Sequence, residues 1–268
     1  MPHAMPSARR TPPWLLAGLL VTADPVIAAE IDPDRPDVTN SARTLRRGAV
    51  QIETGLEYAR ASLGGGESER RFSVQAALRL GITDRLEIGL AGEPLVRLRG
   101  AEDDTGHGDL ALGGKYRFLD SIKGDAWRPD LGVQPFLKLP IADAPIGSGR
   151  PDFGAQLLAS FDLPGDVGLD INAGLAVVGQ TRPRGYLLQA LASASLQRDL
   201  IPERLVAFAE IFFASREQRG ERDRLSADVG LIYRLTPTLA LDAAVETSLA
   251  GPAPDYAVRA GVSVRFDR

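Results

Sequence analysis

The sequence contains no cysteine and two histidines, His3 and His107. Disulfides, thiolate metal sites and cysteine nucleophiles are excluded, and a multi-histidine metal centre has no ligands to draw on. A surplus of one charge is also lacking: 31 Lys+Arg stand against 35 Asp+Glu, a formal net charge of −4. That balance gives no broad electrostatic grip on nucleic acid. Hydrophobic content is 44% and mean hydropathy −0.07, too polar for a bundle of membrane-spanning helices. The apolar run Trp14 to Val21 is followed by Asp24-Pro25 and is too short to cross a bilayer as a helix.

What is present begins with an export signal over residues 1–29. Arg9 and Arg10 precede the apolar run, and Val26-Ile27-Ala28-Ala29 places small residues at a cleavage point. These are the three parts of a secretory signal, so export through the Sec pathway is expected. Residues 30–48 are polar, with Pro33, Pro36, Arg35, Arg43, Arg46 and Arg47. They are expected either to fold into the following domain as a plug or to hang in the periplasm.

Residues 49–268 read as strands. After residue 30 no stretch sustains a 3.6-residue period with caps at both ends; period 2 recurs instead, in segments of about ten residues bounded by turn chemistry. In 239–249 one face carries Leu239, Leu241, Ala243, Val245, Thr247 and Leu249, the other Asp242, Glu246 and Ser248. The same template gives twelve strands: 49–60, 71–82, 85–98, 108–119, 130–140, 152–163, 167–178, 185–198, 204–215, 223–235, 238–249 and 255–266. Connections alternate between tight turns, such as Thr83-Asp84 and Thr236-Pro237, and longer polar loops, such as Leu63–Arg70 and Gly100–His107. The tight set has one long exception at 120–129. Even strand number, short turns on one side and longer loops on the other are the layout of a transmembrane antiparallel up-and-down β-barrel.

Alternation does not say which face meets lipid. Eight strands already enclose an interior that side chains just fill, so twelve with an apolar interior would leave a void. Aromatics also gather at strand ends on the apolar face. On the long-loop side are Tyr58, Phe72, Phe153, Phe213, Tyr186 and Tyr256; on the short-turn side are Tyr116, Phe118, Phe161, Tyr233 and Phe266. Two such bands form the girdles of a lipid-embedded barrel. The opposite face then lines a lumen, with Glu53, Glu57, Arg79, Glu87, Asp109, Lys115, Arg117, Lys138, Asp170, Glu210, Asp228, Arg234, Asp242, Glu246, Arg259 and Arg265 as candidates to set selectivity. The same charges can instead form a cross-strand lattice that closes the interior. Inward apolar positions, Phe136, Leu158, Leu187, Leu191, Phe208 and Phe212, suit either an apolar slide or packing. Pro94 and Pro135 each remove a ladder donor, which calls for a bulge or a strand end.

No enzyme is read from this sequence. His107 lies in Gly106-His107-Gly108 with no serine placed to form a triad. Gly64-Gly65-Gly66 lacks the Lys-Ser/Thr of a phosphate loop. No catalytic residue, metal site or cofactor is expected.

Several stretches resemble the outer-membrane transporter family linked to the meta-pathway of phenol degradation. These are Asp34-Arg35-Pro36-Asp37 followed by Gly48 to Tyr58; Gly108-Asp109-Leu110 with Leu112-Gly113 and Lys115-Tyr116-Arg117; and Lys138-Leu139-Pro140 with Gly147-Ser148-Gly149 and Asp152-Phe153-Gly154. Many such barrels end on an aromatic, whereas Phe266 here is followed by Asp267-Arg268. The resemblance implies a porin-like barrel in the bacterial outer membrane for passive uptake of small molecules, aromatic and hydrophobic compounds among them. The alternative is an occluded structural or assembly barrel without transport. Expected partners are outer-membrane lipid and lipopolysaccharide, the barrel assembly machinery and a small-molecule solute; nucleic acid is not one.

Overall fold

The structure, a computed structural model, describes residues 30–100, 103–180 and 183–267. The expected export signal, residues 1–29, lies outside them.

Thirteen strands run in chain order: β1 Val50–Gly64, β2 Glu67–Thr83, β3 Leu86–Arg99, β4 Asp104–Gly106, β5 Leu110–Leu119, β6 Asp130–Leu139, β7 Asp152–Leu163, β8 Val167–Gln180, β9 Gly185–Ile201, β10 Leu205–Ala214, β11 Arg224–Thr236, β12 Leu239–Ala250 and β13 Tyr256–Phe266. Twelve of them pair antiparallel with their neighbours, and β13 pairs with β1 over Val50↔Phe266 to Arg60↔Tyr256. The sheet therefore closes into a barrel, and no open edge is left where hydrocarbon could not satisfy it.

The alternation is realised as a face. Ile52, Leu56, Leu112, Leu157, Leu175, Leu188, Val229, Leu231, Leu241 and Val245 all point outward and are exposed. So are Tyr58, Tyr116, Phe118, Phe153, Tyr186, Tyr233, Tyr256 and Phe266, while Phe72 and Phe161 on the same face are half-buried. A continuous apolar skin with aromatic rims is a transmembrane barrel surface. At the long-loop rim Tyr58 meets Tyr256 with ring centroids 6.3 Å apart, and Phe153 meets Tyr186 at 6.2 Å.

The strands differ from the sequence expectation at their ends. Residues 63–70 are not a loop: β1 and β2 continue pairing through Ala61↔Glu69 and Ser62↔Ser68. The reversal is left to Gly65 and Gly66, both at positive φ, which glycine alone adopts without strain. The Gly100–His107 loop contains β4, folded back on Val96–Leu98 of β3. At Pro94 the β2–β3 register shifts by one residue between Val74↔Leu95 and Ala76↔Gly92. This bulge reverses the facing of β3, so Glu87 and Val96 both end up buried. Pro135 does not end β6; the β5–β6 ladder skips the pairs opposite Gln134 and Pro135 and resumes at Tyr116↔Val133 in the same register.

Candidate functional site

The inward face is polar, and the segment 30–48 lies inside the barrel. Its start is anchored by Ile31, which is fully buried against Val206, Ile232 and Ala240 near the short-turn end. Among the described residues its backbone-to-backbone bonds to the wall are confined to its ends: Ile31 N–H to Pro237 O and Gly48 N–H to Gly81 O, both 2.8 Å. Between these ends the contacts involve wall side chains. Glu210 accepts from Val38 N–H at 2.7 Å, Thr39 N–H at 2.8 Å and Thr39 Oγ1 at 2.5 Å. Ala42 N–H donates to Ser160 Oγ at 2.8 Å and Leu45 N–H to Glu87 at 2.8 Å. Asn172 Nδ2 donates to Asn40 O at 3.1 Å.

None of the sixteen expected lumen charges is exposed. The structure gathers eight of them into two networks. In the first, Arg79 lies 3.0 Å from Glu53, 2.9 Å from Glu87 and 3.1 Å from Asp34. Lys115, 1% exposed, lies 3.0 Å from Asp34 and 3.8 Å from Glu87. In the second, Arg259 reaches Glu57 at 2.8 Å, Asp228 at 3.0 Å and also Glu246, while Arg71 joins Glu57 at 3.7 Å to Glu93 at 2.5 Å. The remaining charges stand apart. Lys138 pairs with Asp109 at 3.3 Å and Asp152 at 2.5 Å toward the long loops. Asp242 pairs with Arg35 at 3.4 Å, and Asp170 accepts from Ser160 and from Gln197 at 2.8 Å. At the short-turn end Arg117 meets Asp120 at 3.1 Å, Arg234 meets Glu30 at 2.8 Å and Arg265 meets Asp267 at 2.9 Å.

Sequence reasoning missed the partners that residues 32–43 supply to the wall charges, Asp34 to Arg79 and Lys115 and Arg35 to Asp242. Asp34 is held below the usual carboxylate range: burial works against its ionisation, but Arg79 and Lys115 outweigh it. Asp37 is pushed well above that range, first by burial and then by Glu210 and Asp170. Arg35 reaches Gln75 and lies in a notch made by two inward glycines paired across the β1–β13 seam, Gly55 and Gly261. A Cβ at Gly55 would overlap the Arg35 guanidinium, which could move, and stand 2.7 Å from the backbone oxygen of Ala260, which could not, so the position requires glycine for space. The legible signal was this pair of glycines in otherwise regular strands.

The segment leaves room around itself. A cavity of about 290 Å³ opens where β2, β3 and β5 bring small residues, including Ala77, Gly89, Ala91, Ala111 and Gly113, opposite Asp34, Arg35 and Asn40; Phe136 completes its lining. Two polar vestibules of about 440 and 490 Å³ flank the segment at the short-turn end, around Asp162, Asp199 and Arg234 and around Asp84, Arg117 and Arg265. Of the inward apolar residues, Leu158, Phe208 and Phe212 are buried. His107 is exposed, with Nδ1 3.2 Å from Gly108 O. Among the described residues no cluster of three metal-ligating side chains occurs.

The fold has solved counterparts. An outer membrane channel from Pseudomonas putida F1 superposes with a TM-score of 0.69 at 15% identity, covering 88% of this chain and all of that one. The NanC porin gives 0.53 at 12% identity, covering 81% and 100%. The translocator domain of the autotransporter NalP from Neisseria meningitidis gives 0.52 at 15% identity, covering 83% and 90%. At these identities the likeness concerns the fold, and the barrel shape is shared by proteins of different function. No curated protein sequence matches the chain. A family model does, over residues 33–266: the chain belongs to the family described as "Putative MetA-pathway of phenol degradation".

Proposed function

We propose that this chain is an outer-membrane channel for diffusion of small molecules, and that residues 30–48 are a displaceable plug which sets how often it opens. The observation that carries the reading is how the segment is held. A permanently built-in element would join the wall by a backbone ladder. This one is fastened between its ends through side chains, each bond exchangeable for water in a polar lumen. With the segment displaced, the lumen becomes a charged passage with small-residue walls on one side, suited to a small solute that combines a flat apolar part with a charged or hydroxyl group. The family description points to aromatic compounds as that class. Export by the Sec pathway and delivery to the assembly machinery belong to the same reading.

The filled lumen also favours a second reading, an occluded structural barrel. Planar-bilayer recordings separate the two. The channel reading expects discrete steps from the full chain and larger, longer-lived steps after deletion of residues 30–46. Silence from both folded forms supports the occluded barrel. Unchanged conductance after the deletion rejects the plug. Liposome swelling with phenols, aromatic acids and sugars then ranks solutes.

A further inference from the structure

We propose that the long-loop rim of β1–β3 carries a docking site for the phosphate of a lipid headgroup in the surrounding leaflet. The outward faces of these strands are arranged in rows by the ladder register. Leu56, Val74 and Leu95 form an apolar row. Two residues further along each strand, roughly 7 Å toward the loops, come Tyr58, Phe72 and Arg97. In the next row Arg60 faces Arg70 and Arg70 faces Arg99: three guanidinium side chains directly opposite one another.

Like charges in direct cross-strand register are destabilising. Carboxylates relieve this row very little. Arg99 has Asp103 at 3.8 Å, and among the described residues no ion pair reaches Arg60, Arg70 or Arg97. The chain as a whole is net negative, so the four arginines are a local departure from its charge balance. Between them, Tyr58, Arg70, Phe72, Arg97 and Arg99 line a surface cleft of about 410 Å³.

The site fits one ligand chemistry. Guanidinium forks recognise phosphate oxygens bidentately, and several forks on neighbouring strands suit a group bearing more than one negative charge. The apolar row beneath them offers acyl chains a surface continuous with the belt, which a free phosphate would not use. The occupant is therefore a phosphorylated lipid whose chains run down past Tyr58 and Phe72 while its phosphate bridges the arginine row. Neutralising the row removes the like-charge strain and ties the first hairpin of the barrel to its leaflet.

This inference rests on the reading of the chain as an outer-membrane channel proposed above, with its longer loops on the outer-leaflet side. Purified full chain is reconstituted with diphosphoryl lipid A or with its dephosphorylated form, and retained lipid is read by native mass spectrometry. The expected result is retention of the phosphorylated form, reduced about tenfold in an Arg60→Gln/Arg70→Gln/Arg99→Gln variant and unchanged in Arg222→Gln, a rim arginine elsewhere. The triple variant should also melt higher than the parent in lipid-free detergent, because the repulsion is gone; this shows that it folds. Equal retention of both lipid forms, or equal retention by parent and triple variant, overturns the proposal. Release of the lipid by millimolar inorganic phosphate overturns the lipid assignment in favour of a free-anion site. Conductance is recorded separately in bilayers without phosphorylated glycolipid, so the channel reading and this site can fail independently.

Discussion

Glu210 is the wall residue on which docking of the N-terminal segment most depends, and replacing it gives a quantitative test. It is 4% exposed and accepts three hydrogen bonds from Val38 and Thr39. Hydrogen bonds to a charged acceptor contribute about 1.5–3 kcal/mol each. Water in the polar lumen satisfies part of what Glu210→Ala removes, which leaves a net loss of about 3 kcal/mol for the three together. An opposing effect is relief of repulsion with Asp37. That relief is limited, because burial and Glu210 itself both disfavour the ionised form of Asp37 and raise its pKa. A loss of about 3 kcal/mol enlarges the undocked population about a hundredfold.

The chain has no cysteine, so one introduced thiol reports on docking alone. Ala42 is 0% exposed beneath the segment's bond to Ser160, and Ala42→Cys should react with a maleimide only when the segment leaves the wall. Adding Glu210→Ala should raise that reaction rate about a hundredfold and raise opening frequency in bilayers in parallel. Glu210→Gln, which keeps one acceptor oxygen, should fall between. If the thiol reacts equally fast with and without Glu210, the segment is not held in the way described.

The Arg35 notch gives a second test. Gly55→Ala should loosen docking, and the part of the effect that comes from Arg35 should vanish in an Arg35→Ala background, leaving only the cost of the clash with Ala260 O; single effects that add within about 0.5 kcal/mol would refute the notch. Asp37 gives a pH test. Its raised pKa means the docked state holds the proton more tightly, so docking is strongest near and below 3.8 and is lost as pH rises through the raised value. Thiol labelling at position 42, divided at each pH by the rate of the unfolded chain because the thiolate fraction itself rises with pH, should accelerate over that window and do so less steeply in Asp37→Asn. Asp34 acts oppositely: its contribution is present above 3.8 and lost as pH falls through its lowered value. On the lipid face, Leu241→Arg should cost about 2–4 kcal/mol of barrel stability, measured by urea unfolding in vesicles, if the outward belt at that level meets hydrocarbon.

The barrel was legible because one apolar face per strand leaves a period-2 trace, and a one-residue slip would turn a row such as Leu239–Leu249 over entirely. The trace ends where both faces of a strand are in water. This is why Leu63–Arg70 read as a loop although β1 and β2 continue their pairing into it. The bulge at Pro94 was foreseen as an irregularity, but its effect on β3, which turns Val96 and Leu98 inward, depends on pairing with β2. Candidate lumen charges could be named from strand parity. Their partners could not, because Arg79 meets Asp34 and Glu210 meets Thr39 through contacts 45 and 171 residues apart in the chain. Residues 30–48 have no period of their own, and their position is set by polar side chains scattered over most of the wall.

The Arg35 notch also has a consequence for biogenesis. Residues 32–36 straddle the seam where the beginning and the end of the polypeptide meet. Gln51 and Glu53 of β1 hold Asp32 and Asp34 from one side; Asp242 of β12 and Arg259 of β13 hold Arg35 and Pro36 from the other. A barrel whose last two strands have not yet paired with β1 offers half of this clasp at most. Seating of these few residues thus requires the first and last strands of the barrel to be side by side, so the clasp is complete only in the closed cylinder.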